Sequence, residues 1–235
     1  MNDARSIAPH VDEIAPASSP APRARLIELV AFFVVAPLVA SRGPRWFVLP
    51  TILFAGGVCA TLLLRDPTFR RRHFGDLSAV RRRWPRLLWR VLMVWAGLLV
   101  FTIVTRGTAA LFVFPRTHPR LWLTVALLYP LFSVYPQEVM YRTFFFHRYA
   151  GLFRTPTALV VANALLFGWG HVLVHNAVAM ALCTLGGMLL ALTYRRWPST
   201  ALVTIEHALY GDFVFSAGVG GMFVNGVRLL SSLAG

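Results

Sequence analysis

The sequence contains no lysine and few acids: all 23 basic residues are arginine, against nine aspartates and glutamates. It has only two cysteines, Cys59 and Cys183, and both fall inside apolar runs, which predicts buried hydrophobic side chains rather than a disulfide. Charged residues make up 14% of the 235 residues and hydrophobic residues 57%. A soluble domain of this length cannot bury so much apolar surface, so this composition excludes an ordinary soluble globular protein.

Apolar runs follow one another along the chain, and several approach the roughly 20 residues that cross a bilayer as a helix. The runs are Leu26–Ala40, Trp46–Leu64, Leu87–Thr105, Leu121–Tyr135, Thr157–His171, Ala177–Tyr194, Ala201–Ala217 and Val219–Leu233. The sequence therefore predicts an all-α, polytopic integral membrane protein with about eight transmembrane helices. We expect one membrane domain over residues 26–235. The Ala/Pro-rich, polar residues 1–25 predict a disordered cytoplasmic tail.

The net charge of +14 is better explained by membrane topology than by nucleic-acid binding. The arginines lie between apolar runs, and the segment Arg65–Arg90 alone contains nine of them. Cytoplasmic loops of membrane proteins carry the excess of basic residues. With alternating spans and both termini inside, the cytoplasmic segments hold seventeen arginines and the external ones five. We therefore predict a multi-pass protein of the plasma (inner) membrane with both termini cytoplasmic, whose basic segments contact the lipid bilayer and no nucleic acid.

Polar residues at membrane depth are confined to the second half of the chain. Ionisable side chains in a bilayer are costly, so they mark candidate functional sites. They form three groups, which are Gln137-Glu138 with Arg142, His171 with His175, and Glu206-His207 with Asp212. Taken alone, each group has an ordinary explanation as an ion pair, a packing histidine or a polar contact between helices. Their similar estimated depth on three helices favours one shared site.

The spacing within the first two groups adds detail. Glu138 and Arg142 are four residues apart, so they share a helix face and can form an ion pair. Pro130 and Pro136 interrupt the same helix, which is tolerated where the helix lines a wet cavity or packs against protein. His171 and His175 have the spacing of paired zinc ligands, but Val172 stands where zincins have glutamate, so the metal signal is weak.

Together these motifs resemble the CAAX-protease and bacteriocin-processing (CPBP, or Abi) intramembrane endopeptidases. That family has Glu-Glu-x-x-x-Arg, then Phe-x-x-x-His, then His-x-x-x-Asn on successive core helices. This chain has Gln137-Glu138-x-x-x-Arg142, Phe167-x-x-x-His171 and His207-x-x-x-Gly211. The resemblance covers roughly residues 121–217, the expected catalytic core.

The resemblance implies a glutamic-type, metal-free peptidase without a cofactor, acting on a membrane-anchored protein or peptide substrate. It assigns Glu138 as the base, His171 as its partner in activating water and His207 as the oxyanion donor, with Arg142 holding Glu138. A glutamate in a low-dielectric pocket suits general-base work near neutral pH. Hydrogen-bond donors aimed at a developing oxyanion stabilise it by several kcal/mol.

Two departures from the family pattern keep alternatives open. Gln137 replaces the first glutamate and cannot accept a proton, and Gly211 replaces the final asparagine, although Asp212 is adjacent. One alternative is a catalytically inactive family member that binds a partner in immunity or maturation. Another is a zinc peptidase that uses His171, His175, His207 and Glu138 as its metal site.

Overall fold

The computed structural model describes residues 22–223, and every regular element within that range is helical, which confirms the all-α prediction. The helices are α1 (22–40), α2 (Val48–Arg65), α3 (Leu77–Arg106), α4 (Val113–Thr117), α5 (119–149), α6 (Pro156–Gly170), α7 (Ala177–Arg196) and α8 (Thr200–Ala217). Most of the predicted N-terminal tail and most of the apolar run Val219–Leu233 lie outside the described residues.

Four helical segments of the described chain are long and apolar enough to cross a membrane. They are Val48–Arg65, Leu77–Arg106, Pro156–Val174 and Ala177–Arg196. The predicted number of about eight spans is therefore not established. Helix α8 shows one physical reason, because Glu206, His207 and Asp212 lower the mean hydropathy of an otherwise apolar helix.

The exposure of side chains differs from that in a soluble protein in two respects. Large apolar side chains lie on the outside, and Phe54 and Val104 are 75% and 78% exposed. The charged side chains of Glu138, Arg142 and Glu206 are completely buried. Lipid solvates exposed apolar side chains, whereas exposing a charged side chain to lipid is costly. The chain is thus a multi-pass membrane protein with buried polar clusters in its interior.

Helix α5 is continuous but contains two π-helical turns, Pro130–Val134 and Val139–Phe144. The sequence predicts an interruption here, because Pro130 and Pro136 have no amide hydrogen to donate to the preceding turn. The structure accommodates both prolines without a break: Pro130 begins the first π turn, and Pro136 lies in the α-helical segment Tyr135–Glu138 between the two turns. In the second π turn, the buried side-chain amide of Asn163 in α6 donates to the carbonyl of Tyr141. Such turns are frequent at functional sites.

Helices α5 and α8 are antiparallel neighbours. Near the start of α5, the Trp122 indole donates to Ser216 Oγ at the end of α8, over 2.9 Å. Further along α5, the hydroxyl of Thr143 bonds to that of Thr200 at the start of α8. This order brings the middle of α5, including Glu138, against the middle of α8, including His207.

Helix α3 begins at Leu77, well before the predicted start of its apolar run, because Asp76 caps its first turn by accepting from the amide of Ala79. Much of the predicted basic loop is therefore helical. The placement of Arg90 also differs from the prediction, which assigned this residue to the basic loop. Its Nη1 atom lies 2.9 Å from Glu206 Oε1, so Arg90 faces the protein interior.

Candidate active site

The carboxylate of Glu138 lies at the centre of the polar interior. Its Oε1 atom is 2.7 Å from Nδ1 of His207, and its Oε2 atom is 3.4 Å from Nε of Arg142, one turn further along α5. Glu138 and Arg142 are both completely buried, so their opposite charges compensate each other away from water. Within the described residues, Oε2 accepts no hydrogen bond, whereas Oε1 has His207.

His207 connects this carboxylate to the next polar group. Because Nδ1 faces an acceptor-only carboxylate, we assign the hydrogen of the neutral ring to Nδ1. The other nitrogen, Nε2, then faces the hydroxyl of Tyr129, which lies 3.4 Å away. His207 is nearly buried, so both of its nitrogens are directed at protein groups.

The Phe167 ring brings together the remaining groups of the site. The Arg142 guanidinium lies over this ring at 4.5 Å, and the ring centroids of His171 and His207 lie 4.9 Å and 5.4 Å from its own. Nδ1 of His171 is 2.8 Å from the Phe167 carbonyl. This contact assigns the hydrogen to Nδ1 and leaves Nε2 as the basic nitrogen.

Gly187 in α7 makes room for that ring. A Cβ atom at this position would lie 2.8 Å from Cδ1 of Phe167, so a larger residue would displace the ring. The carbonyl of Gly187 also accepts from Nη2 of Arg142 at 3.5 Å. The absence of a side chain at Gly187 thus makes room for the aromatic ring, and its carbonyl contacts the arginine.

The structure places the four predicted site residues together. Glu138, Arg142 and His207 are in direct contact, and His171 contacts the Phe167 ring that the other groups share. His175 lies elsewhere: it is exposed, and its Nε2 is 3.0 Å from the carbonyl of Ser41. Among residues 22–223, no group of three or more His, Cys, Asp or Glu side chains is arranged to hold a metal ion. The ligand set of the zinc hypothesis is not assembled.

Two other polar residues highlighted by the sequence point away from Glu138. The Gln137 amide donates to the carbonyl and the hydroxyl of Ser133, both at 3.0 Å, one turn back along α5. Glu206 belongs to a separate buried cluster, in which it accepts from Arg90 at 2.9 Å and from Tyr210 at 2.7 Å. This cluster joins α3 to α8.

Sequence reasoning missed Tyr129 as a member of the site. The Tyr129-Pro130 pair indicates a helix interruption and nothing more, because the contact with His207 is made between residues far apart in the chain. Its only sequence signal is the glycine at position 211, where the family pattern has a side chain.

The site lies in a segment that is similar to a known protein family. Residues 119–211 match the family model described as type II CAAX prenyl endopeptidase Rce1-like. No curated protein sequence and no solved structure shows a significant match to the chain. The matched segment runs from the start of α5 to Gly211 in α8 and contains Glu138, Arg142, His171 and His207. The predicted relation to the CAAX proteases is confirmed, because residues 119–211 of the chain are similar to the Rce1-like type II CAAX prenyl endopeptidases.

Proposed function

We propose that this protein is an intramembrane endopeptidase that uses Glu138 and His171 to activate water against a membrane-anchored protein or peptide. The observation that carries the proposal is the fully buried Glu138, held between His207 and Arg142 inside the segment that matches the protease family. The family match supports peptidase activity in general, and the contacts within the site support the assignment of roles. The match gives no support to a catalytically inactive member.

Glu138 acts as the general base in this proposal. Its Oε1 is occupied by His207, so Oε2 is the oxygen that receives the proton of the attacking water. The water oxygen bonds to the peptide carbonyl carbon, and the carbonyl oxygen becomes an oxyanion. The proton on Glu138 then passes to the leaving nitrogen as the C–N bond breaks. Arg142, whose Nε is 3.4 Å from Oε2, orients the carboxylate before the reaction.

The two histidines serve different steps. His171, whose Nδ1 faces the Phe167 carbonyl, has Nε2 available to orient the water. His207 supports the oxyanion through Nε2, which carries a hydrogen when the ring is protonated on both nitrogens. The carboxylate of Glu138, 2.7 Å from Nδ1, accepts from that nitrogen and orients the ring. None of these steps requires a metal ion or a cofactor.

The location of the protein follows from its charge distribution. We infer residence in the plasma (inner) membrane with a cytoplasmic tail over 1–25, a membrane domain over 26–235 and a catalytic core over 121–217. Both termini are cytoplasmic, and the partners are the bilayer and the substrate, with no nucleic acid. Reporter fusions after Arg72 and at the C-terminus should be cytoplasmic, and one near Arg116 external. A cytoplasmic reporter at Arg116 contradicts this topology.

The function is tested with purified protein in liposomes and a quenched fluorescent peptide that ends in a prenylated CAAX sequence. The family description motivates this probe, and candidate membrane proteins co-expressed with the chain extend it. We expect hydrolysis by the wild type in excess chelator. Glu138→Gln should reduce it to background, because an amide cannot take a proton from water.

Gln137→Ala is the matched control, since it alters the adjacent residue, whose amide is directed at Ser133. It should retain substantial activity. Full biological function in Glu138→Gln would instead indicate a protein that works by binding. Activity lost in chelator and restored by zinc would indicate a metallopeptidase.

A further inference from the structure

The hydroxyl of Tyr129 occupies the side of His207 that faces away from Glu138. It lies 3.4 Å from Nε2, too far for a tight hydrogen bond and close enough for both groups to reach one additional atom. The Tyr129 ring is fixed edge-on against His207 and Phe215, with centroid distances of 6.3 Å and 5.4 Å. The hydroxyl is therefore held in place by α8.

Gly211 provides the space that this ring fills. A Cβ atom on Gly211 would lie 2.6 Å from Cε1 and 2.8 Å from Cζ of Tyr129, and closer still to its hydroxyl oxygen. Real Cβ atoms do not approach other atoms so closely. Gly211 stands one helical turn after His207, so the tyrosine hydroxyl takes the place that a side chain at 211 would occupy beside the imidazole.

The neighbouring polar residues do not offer the same chemistry. Asp212 carries a carboxylate, which accepts hydrogen bonds when ionised and has none to donate. The amide of Gln137 donates to Ser133 on its own helix. A phenol, by contrast, is a neutral donor whose hydrogen turns toward whichever acceptor is present. Tyr129 is thus the donor that the described residues place beside Nε2 of His207.

We propose that Tyr129 is a catalytic residue whose hydroxyl donates a hydrogen bond to the oxyanion formed during peptide hydrolysis. The proposal rests on the proposed function and names a group that the motifs do not contain. In the resting site the hydroxyl is directed at Nε2 of His207. When water attacks, its proton goes to Glu138, the carbonyl π electrons move to oxygen, and Tyr129 donates to that oxygen without losing its proton. The bond is released as the carbonyl reforms and the amine leaves.

Tyr129→Phe is the first test, because it removes the hydroxyl and keeps the ring against Phe215. Loss of an oxyanion donor lowers kcat on the order of 10²-fold. We expect that loss with the liposome assay and prenylated peptide described above, with KM and the thermal midpoint close to those of the wild type. Tyr135→Phe is the matched control, since it removes a hydroxyl from the same helix, and it should leave kcat unchanged.

A swap of donors gives an independent test. Gly211→Asn alone should impair activity and thermal stability, because its side chain collides with the Tyr129 ring. Tyr129→Ala alone should impair activity by removing the donor. In the double variant the space is free and the amide of the asparagine donates instead, so activity should rise at least tenfold above that of Tyr129→Ala. This comparison also tests the role of Tyr129 if the Tyr129→Phe variant does not fold.

The outcomes separate this inference from the function on which it rests. If activity is lost in Glu138→Gln but unchanged in Tyr129→Phe, the protein is a peptidase and the proposed role of Tyr129 is wrong. A double variant no more active than Tyr129→Ala overturns it as well. If the wild type hydrolyses none of the probes, the proposed function is wrong, and so is the role of Tyr129 that depends on it.

Discussion

The guanidinium of Arg142 lies over the ring of Phe167, 4.5 Å from its centre, while its Nε atom is 3.4 Å from the Glu138 carboxylate. A guanidinium is suited to both contacts, because its planar cation can lie against an aromatic face while its N–H groups pair with a carboxylate. The aromatic ring and the carboxylate are therefore oriented by the same side chain.

Arg142→Lys should separate these two contacts, because a compact ammonium has no plane to stack on the ring. We expect a large loss of activity and a loss of about 1–3 kcal/mol in the free energy of unfolding, typical of a disrupted buried contact. Arg148→Lys is the control on the same helix: its pair with Glu28 is 31% exposed on the arginine side, so it should cost less than about 1 kcal/mol and leave activity intact. Equal effects of the two variants contradict a special role for Arg142.

Gln137→Glu should change the pH dependence of activity rather than only its size. The wild-type amide of Gln137 donates to Ser133. An ionised carboxylate at this position has no hydrogen to donate there, and it adds a second negative charge next to Glu138. Two adjacent carboxylates repel, which disfavours their simultaneous ionisation. The pH–rate profile should therefore move to higher pH, while that of Gln137→Ala should stay with the wild type. An unshifted profile in Gln137→Glu shows that position 137 is uncoupled from Glu138.

The parts of this structure that depend on local sequence were predictable. Helix α7 starts at the predicted Ala177, because a long apolar run follows a capping asparagine, and Glu138 and Arg142 pair because they are four residues apart. The start of α3 was not predictable from hydropathy, because its first turns carry Arg81–Arg86 and resemble a loop.

Contacts between distant helices were beyond sequence reasoning. The sequence around Arg90 is rich in arginine, which is typical of a cytoplasmic loop. Arg90 nevertheless pairs with Glu206, more than a hundred residues away. Tyr129 reaches His207 only because α5 and α8 are antiparallel neighbours. Neither the pairing of helices nor their relative rotation is specified by the spacing of residues within one helix.

The Arg90–Glu206 pair should contribute to stability as a unit. Glu206 is completely buried, and it is also bonded to Tyr210, while Arg90 additionally contacts Thr193 on α7. Arg90→Met leaves an uncompensated buried carboxylate, which costs about 3–5 kcal/mol. Adding Glu206→Leu to Arg90→Met should recover much of that loss.

Thermal unfolding of the two single variants and the double variant in detergent measures this coupling. Additive losses contradict a direct interaction between the two charges. Because His207 follows Glu206 in the same helix, the recovered double variant also shows whether the site requires the ion pair or only a stable α8.

Asp66, in the segment between α2 and α3, should make the stability of the protein sensitive to acid. Its Oδ2 is 2.9 Å from Nε2 of His147, and its Oδ1 accepts from the amide and the hydroxyl of Thr68 at 2.8 Å and 2.7 Å. Burial by itself raises the pKa of Asp66, but the bonds from Thr68 and His147 outweigh it and lower this pKa to about 2. An aspartate in the unfolded chain has a pKa of about 3.9.

Since the folded pKa lies below the unfolded one, the stabilisation by ionised Asp66 is complete above about pH 4 and is lost as the pH falls from there toward 2. The thermal midpoint of the detergent-solubilised wild type should decrease across that window. Asp66→Asn should lower the midpoint at neutral pH and make the decrease in acid shallower. Thr68→Val removes a hydroxyl donor to Asp66, which raises the folded pKa of Asp66 toward the unfolded value, so the decrease should be smaller and should end at higher pH. Identical acid profiles for wild type, Asp66→Asn and Thr68→Val would show that this junction between α2 and α5 does not contribute to acid stability.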